Sequence, residues 1–594
     1  MIPIQCRRAT LAVVALILSV SVLSAAPAWA QGTQAPDQPS AAHEIDRLLG
    51  DIVSESNSSV ALAKSVALAR FHNYVPADVF VEQLESAAQK VTSPLVHFRL
   101  MRIAAFARLN SRDFTHGKNG MDGPIGKMGC ITDWSIVGPF DNPSMEGFHA
   151  QLAPERGESG PYDGKLTGVD WRDNPPFHRL CNFDLSRTIQ PETAAVTYLA
   201  VEIDAKRAGD ARLLIGSEGA YKIWFNGEPI GLRPFDVSLG IDGQAWALEL
   251  DKGRNHLLIK LGSAGDGDLG LIARLTDPQL RPISDVTFRP VWSAEPVEAF
   301  DEDPQPTGQG AVAIAREDAE KPGGKHTWSA WLMRELEPDD ASTPWRQKAE
   351  EVFELSKTKP ESVDPRELAL AAELLEEHWR RVDLLTLANE RRPDDPWIAL
   401  NLAREYSESI ATKRQWRERG LLEHVLETYP TFLPGVIAMS DWYSQRGFTQ
   451  KALEVVRDYE GPRRDETVAY LRQVAYLEDS AGRSSLADQH KERLRELAAI
   501  TTNYDWGHAR ELLAAGEVDD ALEIVTAQLE LMPWSTSWGR FKAEILRSMG
   551  EHASALAQID SMIEAMPGRS QLYRDKAGLL EAMGRTAQAV EAIE

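Results

Sequence analysis

Five glycines, Gly447, Gly482, Gly516, Gly550 and Gly584, succeed one another at intervals of 35, 34, 34 and 34 residues. A constant period of this length marks an array in which each repeat is one supersecondary unit stacked on the next. Five residues after each glycine stands an alanine: Ala452, Ala487, Ala521, Ala555 and Ala589. Seven before each stands a small residue: Ser440, Ala475, Ala509, Ala543 and Ala577. Small side chains at two fixed phases let paired antiparallel helices approach closely, and glycine permits the tight turn between them. Residues 365–594 are therefore predicted to form an α-solenoid, preceded by a helical lead-in over 327–364.

Upstream the periodicity changes twice. Residues 42–115 carry apolar positions at helical spacing, as in Ile45, Leu48, Leu49 and Ile52, with breaks at Asn73–Pro76 and Ser93–Pro94. Helical hairpins are expected there. Over 126–290 the period falls to two: Thr197, Leu199, Val201 and Ile203 alternate with their neighbours, as do Leu257, Ile259 and Leu261, and Leu269, Leu271, Ala273 and Leu275. Asn226-Gly227 suits a tight hairpin after Tyr221–Phe225. Short strands at this spacing predict an antiparallel β-sandwich, galactose-binding or jelly-roll-like. Residues 295–326 are rich in Pro, Gly and acid and read as a linker. The fold class expected is multidomain α + β.

The repeat resembles the tetratricopeptide (TPR) family, with Pro533 and Pro567 at the family's terminal proline position and Pro393 and Pro430 hinting at less regular repeats. Pro462 stands two residues early, and no counterpart of Pro533 follows Gly482. The resemblance implies a groove lined by the first helix of each repeat. The side chain ten residues before the turn glycine faces the ligand there, and this place reads Arg472, Trp506, Arg540 and Arg574, with Tyr476, Arg510 and Arg547 as neighbours. Arginine offers bidentate geometry to carboxylates, so an extended or acidic peptide is the partner implied. Pairing of these arginines with acids on adjacent helices is the alternative. Where the family's best-known clamp has asparagines, this chain has Tyr476, Arg510, Glu544 and Gly578, so that clamp does not carry over.

The segments Trp134–Asn142, Tyr221–Gly227 and Lys252–Lys260 resemble a β-sandwich module of exported bacterial proteins. Those proteins combine it with TPR repeats and a C-terminal transglutaminase-like domain; similar sandwiches accompany glycoside hydrolases. Trp224, on the strand face opposite Ile223, is the residue best placed for sugar stacking, which makes polysaccharide a further expected partner.

The chain opens with Arg7 and Arg8, an apolar run from Leu11 to Leu23, and Ala28-Trp29-Ala30. This is the layout of a cleaved secretory signal over 1–30, cut after Ala30, with a disordered stretch over 31–41. Export to the periplasm or beyond is expected. Nothing later reads as a membrane span. Cys130 and Cys181 are the cysteines left after cleavage, and an oxidising compartment favours a disulfide between them over two buried thiols. A formal net charge of −25 disfavours nucleic acid as a partner.

No His-Glu-x-x-His, Gly-x-Ser-x-Gly, phosphate-loop or dinucleotide fingerprint occurs, and neither catalytic residues nor metal or cofactor ligands are assigned. The leading expectation is a scaffold that binds protein or peptide partners, with the sandwich as accessory. The alternatives are carbohydrate binding, or the recognition half of a transglutaminase-like or protease-like enzyme. The second rests on Glu594 falling within the second helix of its repeat, which predicts a catalytic domain beyond it.

Overall fold

The computed structural model describes residues 40–593 apart from 176–177, 236–238, 266–268, 292–294, 338–343, 409–411 and 498–503. The expected leader, and most of the stretch expected to be disordered, lie outside the described residues. The chain divides into two compact units. One joins the described residues up to Phe114 to Gly308–Thr501; the other joins Thr115–Thr307 to Thr502–Glu594.

The first unit is helical. Ser40 accepts from the His43 amide and starts helix Ala41–Ser54, so order begins inside the stretch expected to be disordered. Helices Ser59–Leu68, Ala77–Ala88 and Pro94–Asn110 follow, broken where the sequence predicts. Further along come Thr327–Leu336 and Pro344–Thr358, and then four hairpins, each a first helix and a second: Pro365–Leu374 with His378–Arg391, Pro396–Ser407 with Thr412–Thr428, Leu433–Ser444 with Thr449–Arg457, and Val468–Ser480 with Ser484–Leu497.

The linker expectation over 295–326 needs correction. Ala311–Ala319 is a helix that buries Ala311, Val312, Ala315 and Ala319 against helices Ser59–Leu68 and Thr327–Leu336. Composition hid it because close approach of small side chains, not large apolar ones, supplies the contact. Residues 297–307 lie along the sandwich, with the amides of Val297, Glu298 and Thr307 donating to the carbonyls of Glu155, Gly227 and Ala245 at 3.0, 2.9 and 2.7 Å.

Among its described residues the second unit holds two large antiparallel sheets, a two-stranded ribbon of Tyr162–Asp163 with Gly168–Val169, and three helical hairpins. In the larger sheet, strand Ala195–Ala205 pairs with Gly253–Gly262, Ser135–Asp141 and Val286–Pro290, while Ala220–Phe225 joins Gly253–Gly262 to Glu228–Arg233. The smaller sheet centres on Gly209–Ser217, flanked by Gln244–Leu250 and Gly270–Thr276. Leu199, Val201, Ile203, Ile223, Leu257 and Ile259 meet Leu213, Ile215, Leu271, Ala273 and Leu275 in one core between the sheets. Cys130 and Cys181 are joined by a disulfide, their Cα atoms 5.7 Å apart.

Hairpins Tyr504–Ala515 with Val518–Leu531, Thr536–Ser548 with His552–Ala565, and Ser570–Ala582 with Thr586–Ile593 continue the period. The loops joining them meet the sandwich. Arg179 donates to the Leu531 carbonyl at 2.6 Å and stacks on Trp534, 4.8 Å from the ring centre. The solenoid expected over 365–594 is thus divided by the fold: four hairpins belong to the helical unit and three to the sandwich unit.

All five turn glycines are left-handed, with φ between +72° and +86°, and nothing lies within 4 Å of where a Cβ would stand. Backbone conformation alone selects glycine there. The alanines five residues later and the small residues seven before are all buried.

Candidate functional site

In the helical unit the first helices of the hairpins face the chain's own amino-terminal helices. The Ala469 amide donates to the Asn73 carbonyl at 2.8 Å, and Arg463 contacts both Asp78 oxygens at 3.1 Å. Arg366 bridges Glu44 at 2.9 Å and Asp395 at 2.6 Å. Phe71 meets the edge of Trp397 at 5.6 Å, and Trp397 meets Phe432 at 5.0 Å. The Arg70 guanidinium lies 4.8 Å from the Trp331 ring centre and 3.4 Å from Glu373, to which Trp331 Nε1 donates at 3.1 Å. Arg70 with Glu373 and Arg463 with Asp78 join residues 303 and 385 positions apart in sequence.

Between these layers lies a cavity of about 660 Å³, lined by aromatic residues Trp328, Trp331, Trp397 and Trp442 and by acids and bases from both sides. Its volume falls in the range of small-molecule pockets. Most lining charges are internally compensated: Arg47 and Lys64 by Asp51, Arg392 by Asp364, Glu418 by Arg446 at 3.3 Å. Burial pushes the Glu367 carboxyl up to about 7, against the pull of a Thr327 hydrogen bond and of Lys64. Burial likewise pushes Glu418 up to about 7, although Arg446 pulls it down, and raises Asp441 despite a 2.7 Å hydrogen bond from Gln473. Burial would also raise Glu373, but Arg70, Arg334 and Arg404 outweigh it and hold that carboxyl below its ordinary value. Carboxylates poised near neutrality beside aromatic walls suit recognition of a polar ligand with an apolar body.

The arginine and tryptophan stripe expected from the repeat is shared between the two units. Arg472 belongs to the helical unit, where its charge reaches His72 and Tyr74 of the amino-terminal helices. Tyr476 is exposed. Trp506 is packed 4.8 Å from both Trp538 and Phe541, in the core of the last three hairpins. Arg510, Arg540, Arg547 and Arg574 are exposed. Arg540 pairs with Asp575, and Arg574 donates to Gln571 at 2.8 Å.

Trp224 is a correction. It stands on the sheet face opposite Ile223, as its place in the strand requires, but is 1 % exposed, donates to the Glu298 carbonyl at 2.9 Å and meets Phe300 edge-on. The segment after the last strand covers the face that a sugar would need. Trp134, Trp171 and Trp246 are buried as well.

Among the described residues one group has metal-ligand spacing, His378, Glu405 and Glu408. Arg381 already neutralises it, 2.8 Å from Glu405 and 3.2 Å from Glu408. No described helix is long and apolar enough to cross a membrane.

No family model matches the chain, and no curated protein matches it. Solved structures do. A tetratricopeptide repeat protein from Parabacteroides merdae is 19% identical, over 41% of this chain and 91% of its own, with a TM-score of 0.24. YrrB, a TPR protein described as having an unusual peptide-binding site, is 14% identical over 36% of this chain and 89% of its own, with a TM-score of 0.17. Human IFIT1, solved as a dimer with m7Gppp-AAAA, is 13% identical over 48% of this chain and 75% of its own, with a TM-score of 0.25.

Cavity residues Glu367, Arg404, Glu418 and Asp441 were not reached from the sequence. A usable signal was present for two of them. Arg404 is the ninth residue of Pro396–Ser407 and Asp441 the ninth of Leu433–Ser444, so they repeat in phase.

Proposed function

We propose that this chain is an exported interaction scaffold that takes acidic segments of protein partners on its last three hairpins. The observation that carries the reading is the pair Arg540 and Arg574. They stand 34 residues apart at one phase of successive repeats, exposed, in contact with Asp575 and Gln571 respectively. Exposed Arg510 and Arg547 extend the cationic character on first helices of the same set. In a chain of net charge −25, arginines repeating in phase supply forked donors that match a carboxylate. Asp575 holds Arg540 in a defined pose and is displaced by a better-matched acid on the partner. The amino-terminal leader and the Cys130–Cys181 disulfide support export.

The test is fluorescence anisotropy with a labelled glutamate-rich peptide. Arg540→Glu with Arg574→Glu is expected to weaken binding about tenfold, roughly 1.4 kcal/mol, with the helical circular dichroism unchanged. Equal affinity for the variant and the parent, or no binding to either, rejects the reading.

A further inference from the structure

We propose that the cavity of the helical unit binds a small amphoteric molecule, one ammonium and one carboxylate on an apolar body, the ammonium lying against Asp441 and the carboxylate against Arg404. Most other strong charges along the cavity have partners of opposite sign, as in Arg366 with Glu44 and Arg70 with Glu373, and Glu367, which forms no ion pair among the described residues, is pushed toward its neutral form by burial. Arg404 and Asp441 differ. Among the described residues Arg404 forms no ion pair, and its charge reaches only as far as Glu373. Asp441 has no cationic partner among them; its contact is the neutral amide of Gln473. One cation and one anion without ion pairs among the described residues therefore line the same cavity.

Their placement follows from the repeat. Each is the ninth residue of a first helix, in consecutive hairpins whose first helices pack together. Packed helices lie about 8–10 Å apart, which brings both side chains to the cavity, and they form no ion pair with each other. A molecule bearing both charges satisfies both at once, whereas a simple cation or anion leaves one unmatched. The indole of Trp442 lines the same cavity, is 6 % exposed and lies beside the Glu418 carboxyl, supplying an apolar wall for the body of the ligand. Free amino acids and short peptides share the required chemistry.

The experiment is calorimetric titration of the full chain with L-phenylalanine, L-leucine and the dipeptide Leu-Leu, beside 2-phenylethylamine and 3-phenylpropionate as singly charged probes. An amphoteric probe is expected to bind at least tenfold more tightly than either singly charged one. Preference for the free amino acids or for Leu-Leu identifies the source. Asp441→Asn is expected to weaken the amphoteric probe and 2-phenylethylamine but not 3-phenylpropionate; Arg404→Met is expected to show the converse. That crossed pattern does not arise from misfolding, which removes both. Arg404→Lys, which keeps the charge, is expected to retain part of the binding. Silence from all three amphoteric probes, equal affinity for a singly charged probe, or loss of both singly charged probes in a variant that keeps the parent's helical circular dichroism overturns the proposal.

Discussion

Arg274 and Asp242 form a two-pronged ion pair in the sandwich unit, Nε to Oδ1 at 2.9 Å and Nη2 to Oδ2 at 2.7 Å, their side chains 2 % and 1 % exposed. Arg274 also donates to the Met128 carbonyl at 2.9 Å, tying the strand Gly270–Thr276 to the segment that enters the sandwich. Removing one partner strands a buried charge. Arg274→Met alone is expected to cost about 3–5 kcal/mol, and Arg274→Met with Asp242→Leu to recover most of it. Urea midpoints of the two variants check this, and a double variant as unstable as the single one contradicts it.

Cys130 forms a β-bridge with this same Arg274, so the disulfide anchors the same entry segment. Its sequence separation is 51, and closing a loop of that size restricts the unfolded chain by about 4 kcal/mol on the chain-entropy account. Cys130→Ser with Cys181→Ser is expected to lower stability by that order. Reductant is expected to destabilise the parent comparably and to leave the double variant unchanged.

The repeat and the sandwich were legible for the same reason: both are written in short periods. Gly447 to Gly584 set the turns, and Leu199, Val201 and Ile203 name the inward face of their strand. Even the face of Trp224 was correct. What covers that face was not legible, because Glu298 and Phe300 reach it from about 75 residues away with no pattern to announce them. The cavity was hidden for a similar reason. Contacts such as Arg366 with Glu44 and Phe71 with Trp397 join segments that share no period. Phase within the repeat placed Arg472 and Arg540 alike, yet His72 and Tyr74 stand beside the first and Asp575 beside the second.

Close helix approach in the last hairpins rests on alanines that have no room to grow. Ala521 and Ala555 are fully buried. Ala555→Leu is expected to cost about 1–3 kcal/mol through overpacking. Gly516→Ala meets no neighbour but must adopt φ +86°, and is expected to cost about 1 kcal/mol. Thermal unfolding separates the two, and a neutral Ala555→Leu removes the packing account of the period.

The helical unit should also report its buried acids through pH. Glu367 and Glu418 are held at about 7 by burial, above the ordinary 4.5, so the folded chain retains protons that the unfolded chain has lost. Their contribution to stability is full below about pH 4.5 and is lost as pH rises through 7. His72, pushed down to about 4 by burial, acts with the opposite sign between 4 and 6.5. Comparing the parent with Glu367→Gln cancels His72, which both proteins share. The variant is expected to be the more stable at pH 7.5 and to lose that advantage by pH 5, the difference changing by up to about 1.4 kcal/mol per pH unit. Urea midpoints at pH 5, 6 and 7.5 measure it. Parallel curves for the two proteins would show that the Glu367 carboxyl titrates alike folded and unfolded, against its burial at the cavity wall.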